Sequence, residues 1–393
     1  MADWKITYLY LVFLFHFHFI HCWYDEENFR LPRRNPVHIG YEEEIKVQIG
    51  QNNKIKTLSV NPPVFEIKNF LSPEECNYLI FMAKRAGLKD SPIHTEIGNF
   101  KTNRDVFTEW DVNNDTYVDA AEFTFIRNKG NLYLTEVEMM AMMEDLEIDK
   151  NDDNKMNLEE FYAITAETIG KYFDMLGERN PKLRSRLSKQ SWIWHYGAYD
   201  QLVEGFHERL SRLTELPHDL IEISEPMQVV HYEEGGHYYC HHDSDEIDPT
   251  IPCCTHENMD HMCRQCRYLT VMFFLNNVTS GGQTVFPVAD NKTFSIEGWQ
   301  EEAPIKCNLG DNCEKSNLIV QPSQGTALLW YNHQIDQSNG WMGHLDQMTY
   351  HGGCDVTTSE KWIANTWINL IGGKGSRDSK KGWLALKRPN DEL

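Results

Sequence analysis

The sequence predicts an α+β chain: a barrel or jelly roll of short strands, preceded by helices and interrupted by a helical insertion. Three observations carry this expectation. From Trp192 onward, short runs rich in Val, Tyr, Phe and Trp alternate with Gly- and Pro-containing turns, the punctuation of an all-β unit. Ahead of that region the apolar spacing is helical. Between the two lies an acidic block whose pattern repeats after 38 residues.

The elements follow in order. Ile6–Ile20 is an apolar stretch behind a short polar start, so residues 1–24 read as a signal peptide or a signal anchor. His16, His18 and His21 lie inside it and have no pocket to build. Residues 25–61 are polar and read as a linker. Val64–Phe70 alternates like a strand. Ser72 and Pro73 then supply an N-cap and a first helical residue for a helix that runs to Ala86 and stops at Gly87. Residues 62–99 form the first part of the main domain, 100–179 the insertion, 180–372 the remainder, and 373–393 a tail. A helix is expected near Asp200–Leu213. The clearest strands are Met227–Tyr232, Tyr268–Leu275, Thr326–Tyr331 and Lys361–Ile368.

Charge narrows the partners. The chain carries a net −22, which disfavours nucleic acid and anionic lipid surfaces. Sixteen acidic against six basic residues fall between Phe100 and Glu160, a density that suits a solvated face or a cation site. Within it, Asp111, Asn113, Asp115, Tyr117, Asp119 and Glu122 stand at the ligand spacing of a twelve-residue calcium loop. Asp149, Asn151, Asp153, Lys155, Asn157 and Glu160 repeat that spacing. Side-chain oxygens serve at five positions of each loop, and Tyr117 and Lys155 offer backbone carbonyls. Val118 and Met156 would pair the loops through a short strand. Two such loops form an all-α EF-hand pair. Position six normally holds Gly; here Thr116 suits the left-handed turn poorly and Asn154 suits it better. Met139, Met140, Met142 and Met143 are expected to pack the pair's own core.

Ten cysteines fit an oxidising compartment. Cys253, Cys254, Cys263 and Cys266 sit near His256 and His261. Without a second well-spaced pair, disulfides are expected there rather than zinc. Cys307 and Cys313 are a further candidate bridge. Asn114, Asn277 and Asn291 are glycosylation acceptors, the first inside a calcium loop. The final Asn390-Asp391-Glu392-Leu393 resembles an endoplasmic reticulum retrieval signal, which implies a retrieval receptor as partner.

The densest chemistry lies in Tyr232-Glu-Glu-Gly-Gly-His-Tyr-Tyr-Cys-His241-His-Asp243. Alternate strand residues share a face, so His241 and Asp243 can point together while His242 points away. His351 follows 108 residues after Asp243, across the strand-rich region. Two histidines and a carboxylate form the facial triad that holds Fe(II) with positions left open. His344-Leu-Asp346 also fits His-x-Asp, but His351 follows it too closely for strands to intervene. Lys361, ten residues after His351, would grip the distal carboxylate of 2-oxoglutarate.

From about Pro62 to Asn369 the chain resembles the prolyl 4-hydroxylases, most closely those with inserted EF-hands. The matching motifs are Met227-Gln-Val-Val-His-Tyr-Glu-Glu-Gly-Gly-His-Tyr, Phe274-Leu-Asn-Asn-Val-Thr, Gly281-Gly-Gln-Thr-Val-Phe-Pro-Val-Ala-Asp and His351-Gly-Gly-Cys. The resemblance implies a double-stranded β-helix (jelly roll), with iron on His241, Asp243 and His351 and 2-oxoglutarate on Lys361. It implies further contacts to that cosubstrate from Tyr232 and Thr284, ascorbate as an iron reductant, and O₂-dependent hydroxylation of a proline-containing protein or peptide. A collagen-type prolyl 4-hydroxylase, or a non-catalytic calcium-binding lumenal protein on an oxygenase fold, are the alternatives. Membrane attachment through the N-terminal segment stays open beside a soluble form.

Overall fold

The computed structural model describes residues 30–48, 51–92, 103–120, 122, 132–193, 201–248, 250–254 and 263–370. The N-terminal apolar stretch, His256, His261 and the C-terminal tail lie outside the described residues. Among those described, no helix is long and apolar enough to cross a membrane.

Two antiparallel sheets face each other. The larger has nine strands, in the order Glu42–Gln48, Gln51–Ser59, Val64–Ile67, Ala327–Tyr331, Arg267–Phe274, Lys361–Asn369, Met227–Tyr232, Lys189–Ile193 and Lys89–Asp90. The smaller runs Leu318–Val320, Thr284–Phe286, His351–Gly353, His237–His241 and Arg186–Leu187. Val230, Tyr232, Met272, Phe274 and Ile363 of the larger sheet meet Phe286 and Val320 of the smaller in one buried layer. This is the jelly roll. Its outer face packs Val229, Val271, Phe273 and Trp362 against the helices Pro73–Ala86 and Gln201–Thr214. The strand Lys361–Asn369 is covered on both faces, hence its near-continuous apolar run.

The helix Pro73–Ala86 begins as its sequence dictates. Ser72 accepts from the Glu75 amide, the Glu75 carboxylate accepts from the Ser72 amide, and Gly87 closes the far end at φ 91°. Arg209 from the helix Gln201–Thr214 grips Glu75 at 2.6 Å and the Phe70 carbonyl at 2.8 Å, which ties the two covering helices together.

Residues 25–61 are not a plain linker. Within them, Glu42–Gln48 and Gln51–Ser59 form an antiparallel pair that extends the larger sheet beside Val64–Ile67. Their inward positions include polar Asn53, Thr57 and Ser59 beside Ile45, Val47 and Ile55, while Glu42, Glu43, Glu44 and Lys54 face solvent, so the apolar alternation is diluted. The segment before them lies across the back of the sheet. Leu31 is buried, and the Tyr268 hydroxyl donates to the Pro32 carbonyl at 2.9 Å.

The insertion has its own core. Val106, Phe107, Trp110, Met139, Met142, Met143, Phe161 and Phe173 pack together, and Met140 alone of its group is largely exposed. Val118 and Met156 face each other across the short strand pair between the loops. One side chain reaches out of this core. Tyr133 is 7% exposed and sits edge-on to Tyr239, with ring centres 4.8 Å apart. Its amide donates to the Leu183 carbonyl at 2.7 Å. It thus plugs the insertion into an apolar cluster containing Val285, Trp299, Cys307 and Leu309.

Four disulfides close the outer surface: Cys253–Cys266, Cys254–Cys263, Cys240–Cys307 and Cys313–Cys354. The first two take up the cluster near His256, as expected for an oxidised chain. The Cys307–Cys313 bridge does not form. A short helix, Leu309–Asn312, separates the two sulfurs and directs one to Cys240 in the strand His237–His241 and the other to Cys354, just past the strand His351–Gly353. Cys76 is the free thiol among the described cysteines and is buried.

Removing the Tyr133 plug leaves a cavity between insertion and sheet. Tyr133→Ala should lower unfolding free energy by about 3 kcal/mol in urea denaturation, and Tyr133→Phe should stay near wild type. Equal stability of the Ala variant would show that the insertion is not keyed through this ring.

Candidate active site

The iron-type residues converge where two inner strands of the smaller sheet meet, at the end of one and the start of the other. His241 ends the strand His237–His241 and His351 begins His351–Gly353, and the two are direct cross-strand partners. Asp243, two residues past the strand end, points back between them. Its Oδ1 lies 3.6 Å from His241 Nε2 and its Oδ2 lies 3.6 Å from His351 Nε2. One ligand atom from each of the three falls within 4.8 Å of the others. His242 turns away and packs on the Tyr350 ring, with its Nδ1 3.1 Å from the Thr349 hydroxyl. His344 is exposed beside Glu246 and joins no such cluster.

Each imidazole is preset. His241 Nδ1 lies 2.9 Å from the Tyr239 carbonyl and His351 Nδ1 lies 2.9 Å from the Thr349 carbonyl. A carbonyl can only accept, so each Nδ1 carries the proton and each Nε2 presents a lone pair inward. Burial pushes the His351 imidazole down to about 4, so it is neutral at physiological pH. Desolvation works against the Asp243 carboxylate, but the charge that His351 takes up at acid pH, with the His241 hydrogen bond and the Arg267 guanidinium, outweighs it and holds the carboxyl below its usual range. Thr270 donates to Asp243 Oδ2 at 2.7 Å. Asn332 donates to that hydroxyl and accepts from Trp330 Nε1, both at 3.0 Å. Trp330 and Phe286 also flank the His351 ring, and Tyr238 stacks on His241 at 3.7 Å. Two imidazole nitrogens and one carboxylate are the donor set that Fe(II) oxygenases use. The residues fit the ion.

Lys361 lies deeper, where the two sheets meet. It pairs in register with Tyr232, and its Nζ reaches across to the Thr284 hydroxyl at 3.3 Å. It is 2% exposed, and among the described residues no carboxylate comes within ion-pair distance. Tyr232 and Phe274 present ring faces to the ammonium at 5.3 and 6.0 Å. A Cβ at Gly353 would meet Nζ at 3.4 Å and one at Gly282 would meet Cδ at 3.4 Å, so these glycines keep the space beside the lysine open. The cradle is shaped for an anion.

The calcium-type residues come together as two matching loops. In the first, the Asp115 and Thr116 amides donate to Asp111, and the Asn113 and Asp119 amides to Glu122. In the second, the Asp153 and Asn154 amides donate to Asp149, and the Lys150 and Asn157 amides to Glu160. Ligand oxygens of Asp111, Asp115 and Glu122 lie within 4.8 Å of one another. Asn151 holds Asp153 through its side-chain amide, while Tyr117 and Lys155 lie on the paired short strands. Thr116 and Asn154 both adopt positive φ, 73° and 60°.

Comparison with known proteins agrees with this geometry. Residues 227–369 match the family model of the 2OG-Fe(II) oxygenase superfamily, and residues 100–166 match that of the EF-hand domain pair. The transmembrane prolyl 4-hydroxylase of Mus musculus is 36% identical over 86% of this chain and 70% of its own. Its Homo sapiens counterpart is 35% identical over the same shares. The chain belongs to the prolyl 4-hydroxylase family. Prolyl 4-hydroxylase 2 of Arabidopsis thaliana is 37% identical over 44% of this chain and 49% of its own. Among solved structures, a viral collagen prolyl hydroxylase from Paramecium bursaria Chlorella virus-1 aligns at 18% identity with a TM-score of 0.37, over 77% of this chain and 94% of its own.

Sequence reasoning missed part of this family member's site. Arg267 forms a two-point ion pair with Glu225 at 2.7 and 2.5 Å, lies 3.7 Å over the Trp367 ring and donates to the Asp243 carbonyl at 3.1 Å. Beyond it, Asn365 donates to Gln228, Gln228 donates to Gln190, and Arg186 donates to Gln190 while lying over the Tyr238 ring. These groups continue the inward face of the larger sheet from Lys361, and Arg267 reaches the Asp243 backbone. Every second residue from Lys361 (Ile363, Asn365, Trp367) shares the inward face, and that alternation was the available signal.

Replacing His241, Asp243 or His351 by Ala should abolish stoichiometric retention of Fe(II), measured by metal analysis after gel filtration. His242→Ala should retain it. Retention by His241→Ala with loss in His242→Ala would put the strand register one residue off.

Proposed function

We propose that the chain hydroxylates C4 of a prolyl residue within a protein or peptide, using Fe(II), O₂ and 2-oxoglutarate. His241, Asp243 and His351 would hold the iron through Nε2, a carboxylate oxygen and Nε2. Bound there, Fe(II) supplies the activation of O₂ coupled to decarboxylation of 2-oxoglutarate. The protein's part is placement. Lys361 and the Thr284 hydroxyl receive the distal carboxylate of the cosubstrate, Tyr232 walls its chain, and Arg267 with Trp367 and the Gln228–Asn365 amides frames the mouth that a peptide would enter. Ascorbate would serve as the reductant that keeps the iron divalent. The observation that carries this reading is the buried Lys361 amine, without a carboxylate partner among the described residues, beside the clustered His241, Asp243 and His351.

The setting follows from the chain ends. The Asn390–Leu393 tail would engage a retrieval receptor of the endoplasmic reticulum. The N-terminal apolar stretch would direct the catalytic part into the lumen, as a signal peptide or as a membrane anchor. The two loops would bind Ca²⁺ through Asp111, Asn113, Asp115, Tyr117, Asp119 and Glu122 and through Asp149, Asn151, Asp153, Lys155, Asn157 and Glu160.

The direct test is mass spectrometry of a proline-containing peptide library incubated with purified protein, Fe(II), ascorbate and 2-oxoglutarate. A gain of one oxygen on proline, dependent on all but ascorbate, is expected. Absence of both peptide oxidation and 2-oxoglutarate decarboxylation would favour a non-catalytic calcium-binding protein.

The Lys361 cradle adds a pH signature. Burial pushes the ammonium down to about 7, so above that pH much of it is neutral before cosubstrate arrives. A bound carboxylate stabilises the charged form, so binding takes up a proton above about pH 7 and none well below it. Calorimetry at about pH 8 in buffers of differing ionisation heat should show uptake approaching one proton. Lys361→Ala should abolish the uptake and raise the 2-oxoglutarate KM by about tenfold or more while leaving iron retention intact. An unchanged KM would remove Lys361 from the site.

A further inference from the structure

The two calcium loops differ in one contact that their ligand spacing does not disclose. Lys155, at position seven of the second loop, turns its side chain onto the first. Its Nζ lies 3.2 Å from Asp115 Oδ2 and 5.5 Å from the centre of the Tyr117 ring. The backbone explains the reach. Lys155 pairs in register with Asp119 across the short strands, and Tyr117 pairs with Asn157, so a long side chain at 155 projects over the neighbouring loop. The reciprocal contact carries no charge. Position seven of the first loop is Tyr117, and the equivalent oxygen, Asp153 Oδ2, accepts instead from the neutral Asn151 amide at 2.9 Å.

We infer that Lys155 is a tethered counter-cation of the first loop, which sets that loop's calcium affinity below that of the second. This rests on the calcium reading above. An ammonium on a ligand carboxylate opposes an incoming divalent cation in either outcome. If it leaves, the ion pair is lost; if it stays, like charges sit within one loop. The backbone carbonyl of the same residue is a ligand of the second loop, and the ammonium does not point there. The effect is therefore confined to one side. Thr116 works in the same direction, since a β-branched residue at φ 73° strains the first loop's turn. Filling would run in order, the second loop first and the first loop at higher calcium.

Both Lys155 and Asp115 are more than a third exposed at the side chain, which limits the size of the effect and makes it salt-sensitive. The experiment is calorimetric titration of the full chain with calcium alone. Glu160→Gln disables the second loop and reports the first; Glu122→Gln does the reverse. In the Glu160→Gln background, Lys155→Gln should tighten calcium binding about two- to fivefold at low ionic strength, with the gain shrinking in about 0.5 M KCl. Lys155→Arg should bind like the parent. In the Glu122→Gln background, Lys155→Gln should change little. Unaltered affinity of the first loop, or an equal change in both loops, overturns the inference while leaving calcium binding in place. Absence of calcium heat in every variant removes the calcium reading and this inference together.

Discussion

One carboxylate organises this molecule. Asp243 is buried at the rim of an apolar jelly roll, where an isolated anion would be costly to keep ionised. What makes it tolerable is a set of groups drawn from four strands and a loop. His241 and His351 flank it, Thr270 donates to it, Asn332 and Trp330 extend that hydrogen-bond chain, and Arg267 holds its backbone carbonyl. Each group is positioned by the larger or the smaller sheet, so the carboxylate is secure only when the two sheets are docked. Lys361 is the mirror case, a basic group in the same layer with no carboxylate at ion-pair distance among the described residues. The interior thus has two charges that do not meet each other, each in place to be compensated by what binds beside it.

The chemistry was more legible than the architecture, for a physical reason. Metal ligands must be specific residue types at positions set by strand alternation, so His241, Asp243 and His351 stand out across 108 intervening residues. Calcium loops are rigid twelve-residue turns and leave the same kind of print. By contrast, Glu42–Gln48 and Gln51–Ser59 lie at the edge of the sheet, where one face is solvated, and polar composition hid them as a linker. Arg267 was invisible because its importance comes from Glu225 and Trp367, which approach it only in three dimensions. Disulfide partners failed for the same cause. Cys307 and Cys313 are close in sequence, yet the turn of helix between them sends one sulfur to Cys240 and the other to Cys354.

The insertion is less separate than its continuous sequence suggests. It returns to the main domain through Arg184, whose backbone bridges Leu132, and Arg186, which covers the ring stacked on His241. Tyr133 meanwhile rests on Tyr239, two residues before the same histidine. The calcium module and the metal edge therefore share a strand, His237–His241, as a common wall.

The crosslinks at that wall have a consequence for how the protein matures. Cys240 directly precedes His241 and Cys354 follows His351 by three residues, and both are stapled to the segment carrying Ile296–Lys306 and Leu309–Asn312. The two disulfides thus brace the pocket beside His241 and His351. A chain made in a reducing cytosol would contain every ligand and still lack the braces that hold two of them in place. The oxidised chain and its reduced form thus share one sequence and differ in how firmly His241 and His351 are held.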